Sequence, residues 1–467
     1  MSMPVMPTRI LIVGGGGREH ALAWKLAAEP GVNQVWAAPG SAAIGVEPRV
    51  GCLREIDALV PAAVVAAARS SSAELVVVGP EAPLAAGVAD ALAEAGIPVF
   101  GPSRAAARIE TSKAFCHEVA ASAGVRMARS RAFAAGELEA ARAFAAELAG
   151  AGHGVVVKAD GLAAGKGVVV CDDLAAADRQ LASSFEPASG HLAEAPGTPR
   201  VVIEDRLFGP EVSVIAVTDG RLALALPAAR DHKRLSDGDT GPNTGGMGAY
   251  SPVADLPDDV AADLLATIHL PILAELARRG APFRGFLYAG LILTADGPVL
   301  LECNARLGDP EAQVILPRLA GPLGPVLLAA ARGELATVAN ALGPGAVALP
   351  TFPSAAVGIV LAAEGYPNTP RRGQPIEGLD AAAAQGGLVF HAGSLGRPGG
   401  GYGTNGGRVL TVVGRGPDLA SARDAAERAA DAISWDGLQR RRDIAAYEAS
   451  PAASPDPEPA ITAGAAR

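Results

Sequence analysis

Lysine is scarce in this chain: of 39 basic residues only five are lysine, namely Lys25, Lys113, Lys158, Lys166 and Lys233. Arginine serves a solvated surface as well as lysine does, but a compact ammonium fits among phosphate oxygens where a planar guanidinium does not. A lysine in so arginine-rich a sequence therefore points to chemistry before solubility. Lys158 and Lys166 flank a run of small residues, Ala159-Asp160-Gly161-Leu162-Ala163-Ala164-Gly165, lying between two apolar stretches. A flap of that kind can fold over a triphosphate while its two ammonium groups neutralise it. It is not a Walker A loop, because Gly167 and a strand pattern follow Lys166 where that motif needs Ser or Thr and a helix. The plainer alternative is a hairpin with solvent-facing lysines.

Further along, Leu300-Leu301-Glu302-Cys303-Asn304 reads as a strand, whose two-residue period puts Glu302 and Asn304 on one face. Both offer oxygen to Mg²⁺. Arg306 follows in a turn that runs through Asp309 and Glu311, where it could clamp a carboxylate or a transferring phosphoryl group; a structural ion-pair turn is the alternative. The strand Val201–Glu204 ends in acids, with Asp205 next and Glu211 beyond Gly209-Pro210, an arrangement that could serve an adenine and its ribose. Asp231-His232-Lys233-Arg234 leads into a polar, glycine-rich stretch from Asp239 to Tyr250, expected to be a long functional loop. Gly14 to Gly17 follow a short strand. They suit a dinucleotide, another phosphate or a tight turn, with Arg18-Glu19-His20 favouring a small phosphate ester.

The elements that must position these residues alternate. Strands are expected at Arg9–Val13, Leu75–Val78, Pro98–Phe100, Val155–Lys158, Arg200–Glu204, Glu211–Thr218, Leu222–Pro227, Phe286–Leu293, Val299–Cys303, Ala355–Ala362, Leu388–Ala392 and Arg408–Val413. Helices are expected at Arg18–Ala28, Ala85–Ala95, from Thr111 through Ala123, at Glu137–Ala149 and at Asp418–Ile433. With 467 residues, 49% of them apolar, several packed units are expected, in an α/β class with α+β parts. The divisions fall at 1–110, 111–198, 199–335 and 336–446, with a disordered tail over 447–467.

A net charge of −10 argues against nucleic acid or an anionic membrane as partner. No apolar stretch is long enough to span a bilayer and the first residues lack a signal pattern, so a cytoplasmic location is expected. Cys52, Cys116, Cys171 and Cys303 form no CxxC pair. No Ser/His/Asp or Cys/His set suggests a side-chain nucleophile.

Taken together, VGGGGREHALAW, VVGPEAPL, SKAF, KADGLAAGKGV, DHKR, DTGPNTGGMGAYSP, GFLYAGL, RLGDPEAQ and TNGGRVL resemble, in order, the phosphoribosylamine-glycine ligase (glycinamide ribonucleotide synthetase) family over about residues 9 to 445. The resemblance implies an ATP-grasp fold with an N-terminal open α/β sheet domain, a mobile lid and a small β-rich C-terminal domain. It implies ATP-dependent ligation of glycine to 5-phosphoribosylamine through a glycyl phosphate, in purine synthesis, with Mg²⁺ or Mn²⁺; a monomer is expected. Carried onto this chain, Lys113, Lys158 and Lys166 would meet the nucleotide phosphates. Glu204, Asp205, Leu207 and Glu211 would meet adenosine, and Glu302 and Asn304 the metal. Gly16, Gly17, Glu81, Asp231 and Arg408 would lie toward phosphoribosylamine, with Arg306 and Asp309 on glycine; Lys158 and Arg306 are the expected catalytic pair. Two positions depart from the family: Gly15 where asparagine is frequent, and Arg230 where glutamine is usual. The competing readings are another ATP-grasp ligase, a biotin-type carboxylase, or a nucleotide-binding regulator without turnover.

Overall fold

A computed structural model describes residues 5–150, 154–162, 167–185, 199–257, 260 and 263–449. Lys166 and the tail beyond 449 lie outside these residues.

The apolar runs near the N-terminus form a five-stranded parallel sheet. Its strands are β1 (Arg9–Gly14), β2 (Gln34–Pro39), β3 (Val50–Cys52), β4 (Leu75–Val78) and β5 (Val99–Phe100), in the order β3-β2-β1-β4-β5. Ile10 to Val13 and Leu75 to Val78 are at most 3% exposed, as expected of strands covered on both faces. Strand order reverses between β1 and β4, so the crevice of the sheet opens at their carboxyl ends. The glycine run and Glu81 stand there, at the starts of α1 (Gly17–Ala27) and α3 (Glu81–Ala86), with α2 (Pro61–Ser70) between them in sequence.

One expected helix is broken in two, and another is preceded by a helix of its own. The helix expected over Ala85–Ala95 is α3 followed by α4 (Val88–Glu94), because Gly87 takes a left-handed conformation with φ +87°. Arg104 Nη2 then donates to the freed Ala86 carbonyl at 2.5 Å. The helix expected from Thr111 through Ala123 is α6 (Lys113–Ser122), and a helix not expected from sequence, α5 (Arg104–Thr111), precedes it. Ser112, extended between them, accepts the Phe115 amide on its hydroxyl at 3.1 Å and so caps α6.

Next, β6 (Ser130–Ala134), α7 (Leu138–Ala149), β7 (Val155–Ala159), β8 (Val168–Cys171), α8 (Leu174–Phe185) and β9 (Pro199–Asp205) build a small unit. Its antiparallel sheet runs β6-β9-β7-β8, over a core of its own that includes Phe133, Phe144, Leu148, Val157, Leu181 and Ile203. The central sheet is β11-β10-β16-β17, from β10 (Glu211–Thr218), β11 (Ala223–Ala225), β16 (Gly285–Thr294) and β17 (Gly297–Asn304).

The stretch Asp239–Tyr250 is not a loop. Strands β13 (Arg234–Ser236) and β14 (Thr240–Asn243) make a hairpin, and β15 (Gly248–Ser251) enters a sheet between β12 (Arg230–Asp231) and β18 (Ala355–Ala362). Met247 and Tyr250 are fully buried there. The sheet continues through β23 (Arg408–Gly416) to β20 (Leu388–His391), while β19 (Pro375–Ile376), β21 (Ser394–Gly396) and β22 (Tyr402–Thr404) form a small separate one. Helix Leu419–Asp431 packs on β23 and β18, its first turn capped by Asp418 through the Ser421 amide at 2.7 Å.

Polar contacts stitch these units. Glu29 of the segment after α1 accepts the amides of Leu323 and Gly324 at 2.6 and 2.9 Å, at the start of helix Gly324–Arg332. Lys25 gives its ammonium to the carbonyls of Leu319 and Gly321 at 2.9 and 3.1 Å, so this lysine is structural. His20 accepts the His391 amide on Nδ1 at 2.9 Å and stands 3.1 Å from Glu47. Tyr447–Ala449, placed in the tail by sequence, belong to the short helix Ala446–Ala449. No helix among the described residues is long and apolar enough to cross a membrane.

Arg441, 1% exposed, joins the C-terminal segment to the hairpin by pairing with Asp239 and with both carboxylate oxygens of Asp443. The His232 hydrogen bond and Arg441 hold Asp239 well below the usual carboxylate range. Burial would raise Asp443, but Arg441 and the Gly238 amide bring it down to about 2. Carboxylates depressed in the fold contribute stability above their unfolded value near 4 and lose it as pH falls toward 2. Arg441→Gln should therefore cost about 1 to 2 kcal/mol at pH 7 in denaturant unfolding, and the gap to wild type should narrow steadily as pH falls from 4 through 2. A gap independent of pH would refute the pairing.

Candidate functional site

The sheets meet around a cavity of about 1220 Å³. Thirteen of the predicted site residues line it: Glu81, Lys113, Lys158, Glu204, Asp205, Leu207, Glu211, Asp231, Glu302, Asn304, Arg306, Asp309 and Arg408. Gly16 and Gly17 are set back from it, and Lys166 lies outside the described residues.

One end is built around Lys158 on β7. Its ammonium, on a side chain 8% exposed, sits 2.7 Å from Glu204 Oε2 and donates to the Leu301 carbonyl of β17 at 3.1 Å. Glu204 Oε1 also meets His117 Nε2 at 2.7 Å, and His117 Nδ1 lies 2.9 Å from Ser130 Oγ. Burial would raise the Glu204 carboxyl, yet Lys158 and His117 hold it below its ordinary value. Lys113, first residue of α6, donates to the Gly161 carbonyl at 3.0 Å. Asp160 accepts from Ser112 Oγ and the Ala114 amide at 3.1 and 3.2 Å, so the flap begins on the capped end of α6. Asp205 leaves Oδ1 buried without a partner.

Below lies a layer of acids. Glu211 pairs with Lys233 at 2.5 Å. Ser213 Oγ, Tyr288 Oη and Glu311 Oε1 form a triangle of 2.8, 3.0 and 3.1 Å hydrogen bonds. Burial pushes Asp231 up to about 7, with Glu311, Glu211 and Glu302 outweighing part of the pull of Lys233. Glu302 moves the other way. Despite burial, Lys233 and Lys158 keep its carboxyl below the usual range, helped by the Asn304 amide, which donates to Oε1 at 3.2 Å.

Glu302 and Asn304 therefore present an ionised carboxylate and an amide oxygen from one strand face, a donor set that suits Mg²⁺ or Mn²⁺. Among the described residues no group of three or more His, Cys, Asp or Glu could hold a metal. A pair of oxygens fits an ion whose other ligands arrive with phosphate.

The opposite end is a guanidinium among carboxylates. Arg306 Nη2 meets Glu110 Oε1 at 2.8 Å, and Nε lies 3.5 Å from Glu81 without a good hydrogen bond. Glu110, at the end of α5, also accepts the Ala305 amide at 2.7 Å. Burial pushes the Glu110 carboxyl up although Arg306 opposes it. Asp309 accepts from Gln313 at 2.7 Å and pairs with Arg408 at 3.2 Å; Arg408 further donates to the Asp309 and Gly245 carbonyls. Gly17 lies behind them, where a Cβ would stand 2.8 Å from Gln313 Nε2.

The glycine run serves Glu19 first. Its carboxylate, 3% exposed, turns back to accept the Gly16 amide at 2.7 Å and the Arg18 guanidinium at 2.6 Å. A Cβ at Gly14, where φ is +124°, or at Gly79 would fall 2.6 and 2.2 Å from that side chain. Glu110, His117, Tyr288 and Glu311 were not singled out from sequence for this site; only their presence inside or beside the motifs could have flagged them.

Comparison with known proteins follows the same segments. Residues 8–110, 111–312 and 356–447 match the models of the N domain, the ATP-grasp (A) domain and the C domain of phosphoribosylglycinamide synthetase. The chain is 50% identical over 445 residues to the phosphoribosylamine–glycine ligase of Streptomyces coelicolor, covering 94% of this chain and 99% of that one. It is 46% identical over 437 residues to the ligase of the same name from Mycobacterium leprae, covering 93% and 97%. A crystal structure of phosphoribosylamine–glycine ligase from Thermotoga maritima has a TM-score of 0.74 at 34% identity, covering 93% of this chain and all of that one. The biotin carboxylase domain of the Hydrogenobacter thermophilus 2-oxoglutarate carboxylase, at 17% identity and a TM-score of 0.66 over 93% and 92%, shares the fold alone.

Glu110 holds both a main-chain amide and a guanidinium, so removing it strands two buried donors. Glu110→Ala should cost about 3 to 5 kcal/mol in denaturant unfolding, and Glu110→Gln, which keeps an acceptor, about 1 to 2 kcal/mol. Equal losses would show that only side-chain volume matters there.

Proposed function

Because this chain belongs to the phosphoribosylglycinamide synthetase family, we propose that its cavity binds MgATP at the lysine end and the two substrates to be joined at the arginine end. The chain is an ATP-dependent ligase of the ATP-grasp fold that couples glycine to 5-phosphoribosylamine in purine biosynthesis. The observation that carries the site assignment is the contact of Lys158 with Leu301, which brings the flap to the residue beside Glu302.

In this reading Lys113, Lys158 and Lys166 take the triphosphate, while Glu204, Asp205, Leu207 and Glu211 frame adenosine. Glu302 and Asn304 would hold a magnesium or manganese ion, which when bound neutralises phosphate oxygens. Glycine is a zwitterion: Arg306 offers its carboxylate a cation, and Glu81, expected from sequence on the phosphoribosylamine side, stands 3.5 Å from Arg306 and offers its ammonium an anion. Asp309 adds a second acceptor. A carboxylate oxygen of glycine attacks the γ-phosphorus as the bond to the β-phosphate oxygen breaks, releasing ADP and forming glycyl phosphate. The amine of phosphoribosylamine then attacks the carbonyl carbon, loses a proton, and phosphate leaves. Lys158 serves the first step by keeping positive charge against the transferring group. Arg408, Asp231 and the wall backed by Gly16 and Gly17 belong to the ribosylamine side. Divisions at 110, 198, 335 and 446, a cytoplasmic location and a monomeric state go with this reading.

ADP release should require glycine and phosphoribosylamine together; ATP hydrolysis indifferent to both would favour a regulator. Lys158→Ala should lower kcat about 10²- to 10³-fold, the scale of one lost charge-stabilising donor. Steady-state rates equal to wild type would refute the role given to Lys158.

A further inference from the structure

The last described turn of the chain borders the adenosine end of the cavity. Ala446, Tyr447 and Glu448 line it together with Leu207, Phe208 and Glu211. Glu448 Oε1 accepts from Tyr250 Oη at 2.5 Å and lies 3.6 Å from Arg230 Nη1. Arg230 donates through Nε to the Glu211 carbonyl at 2.7 Å and through Nη1 to Tyr250 Oη at 3.0 Å. Its Nη2 reaches both carboxylate oxygens of Asp255 at 3.0 and 2.8 Å. Glu211 opens β10 directly after the segment assigned to adenosine. One arginine thus ties the turn Ala446–Glu448 to the backbone of that segment.

Two groups on this turn remain unspent. Glu448 Oε2 is buried without a hydrogen-bond partner, a state that costs free energy until a donor arrives. Tyr447 is 43% exposed, an aromatic face at the cavity wall. A nucleoside supplies both complements: hydroxyl donors on its ribose and an apolar ring system.

We propose that the turn Ala446–Glu448 is part of the nucleotide site, with Arg230 anchoring it to Glu211, Tyr447 packing against the nucleoside, and Glu448 Oε2 accepting a ribose hydroxyl. The proposal rests on the adenosine placement given above. It makes the C-terminal segment a determinant of ATP affinity and leaves the glycine end untouched.

The test is calorimetric titration of the full-length chain with a non-hydrolysable ATP analogue and Mg²⁺, together with steady-state kinetics and melting curves. Glu448→Gln should weaken the analogue about fivefold and Tyr447→Ala about tenfold, the scale of one lost hydrogen bond or packed ring. Tyr447→Phe should bind as wild type does. The KM for glycine should stay at its wild-type value in both variants, and Tyr447→Ala should melt as wild type does, while Glu448→Gln, which loses charge against Arg230, melts slightly lower. Analogue affinity within twofold of wild type in both variants would overturn the proposal, as would a loss shared equally by glycine and accompanied by a lower melting temperature. Because binding is read without turnover, wild-type protein that binds the analogue but does not ligate would sink the functional reading and leave this one standing if the variants weaken as stated.

Discussion

A buried ammonium survives only where oxygen surrounds it, and Lys158 has found that oxygen on two other strands. Glu204 supplies it from β9 and the Leu301 carbonyl from β17, so one charge joins the small four-stranded unit to the central sheet. The floor of the cavity depends on that joint. Glu204 is ionised because Lys158 and His117 face it, and Glu302 because Lys233 and Lys158 do. Without the lysine Glu204 would lose its main counter-charge and burial would push its carboxyl up, whereas Glu302 would keep Lys233.

Charge is sorted along the cavity. At one end stand the ammonium groups of Lys113 and Lys158; at the other, Glu110 and Glu81 flank the Arg306 guanidinium. Glu110 and Glu81 hold Arg306 in place by opposite means, the first fully engaged and the second at a looser 3.5 Å. The looser one can exchange partners with an incoming zwitterion at little cost, whereas the tighter one keeps the guanidinium aimed.

Local patterning made much of this legible. Buried runs such as Leu75–Val78 and Gly285–Thr294 announce their strands, and the two-residue period alone brings Glu302 and Asn304 to one face. Residues whose partners lie far along the chain stayed hidden. Glu110 meets Ala305 across 195 positions and Tyr250 meets Glu448 across 198, separations at which sequence spacing carries no geometric information. Asp239–Tyr250 hides its structure for a related reason: its glycines suit a loop, but Gly248 admits the facing Gly358 carbonyl, which a Cβ would approach to 2.7 Å, so the residue belongs inside a sheet. The helix breaks at Gly87 and Ser112 were visible residues whose consequence depended on tertiary partners.

The turned-back carboxylate of Glu19 couples two glycines that sequence keeps 65 positions apart. Gly14 and Gly79 leave the hollow that this one side chain fills. Their smallness is thus meaningful as a set with the acid: bulk at Gly79 would require losing Glu19, and even then the φ of +124° would bar a side chain at Gly14.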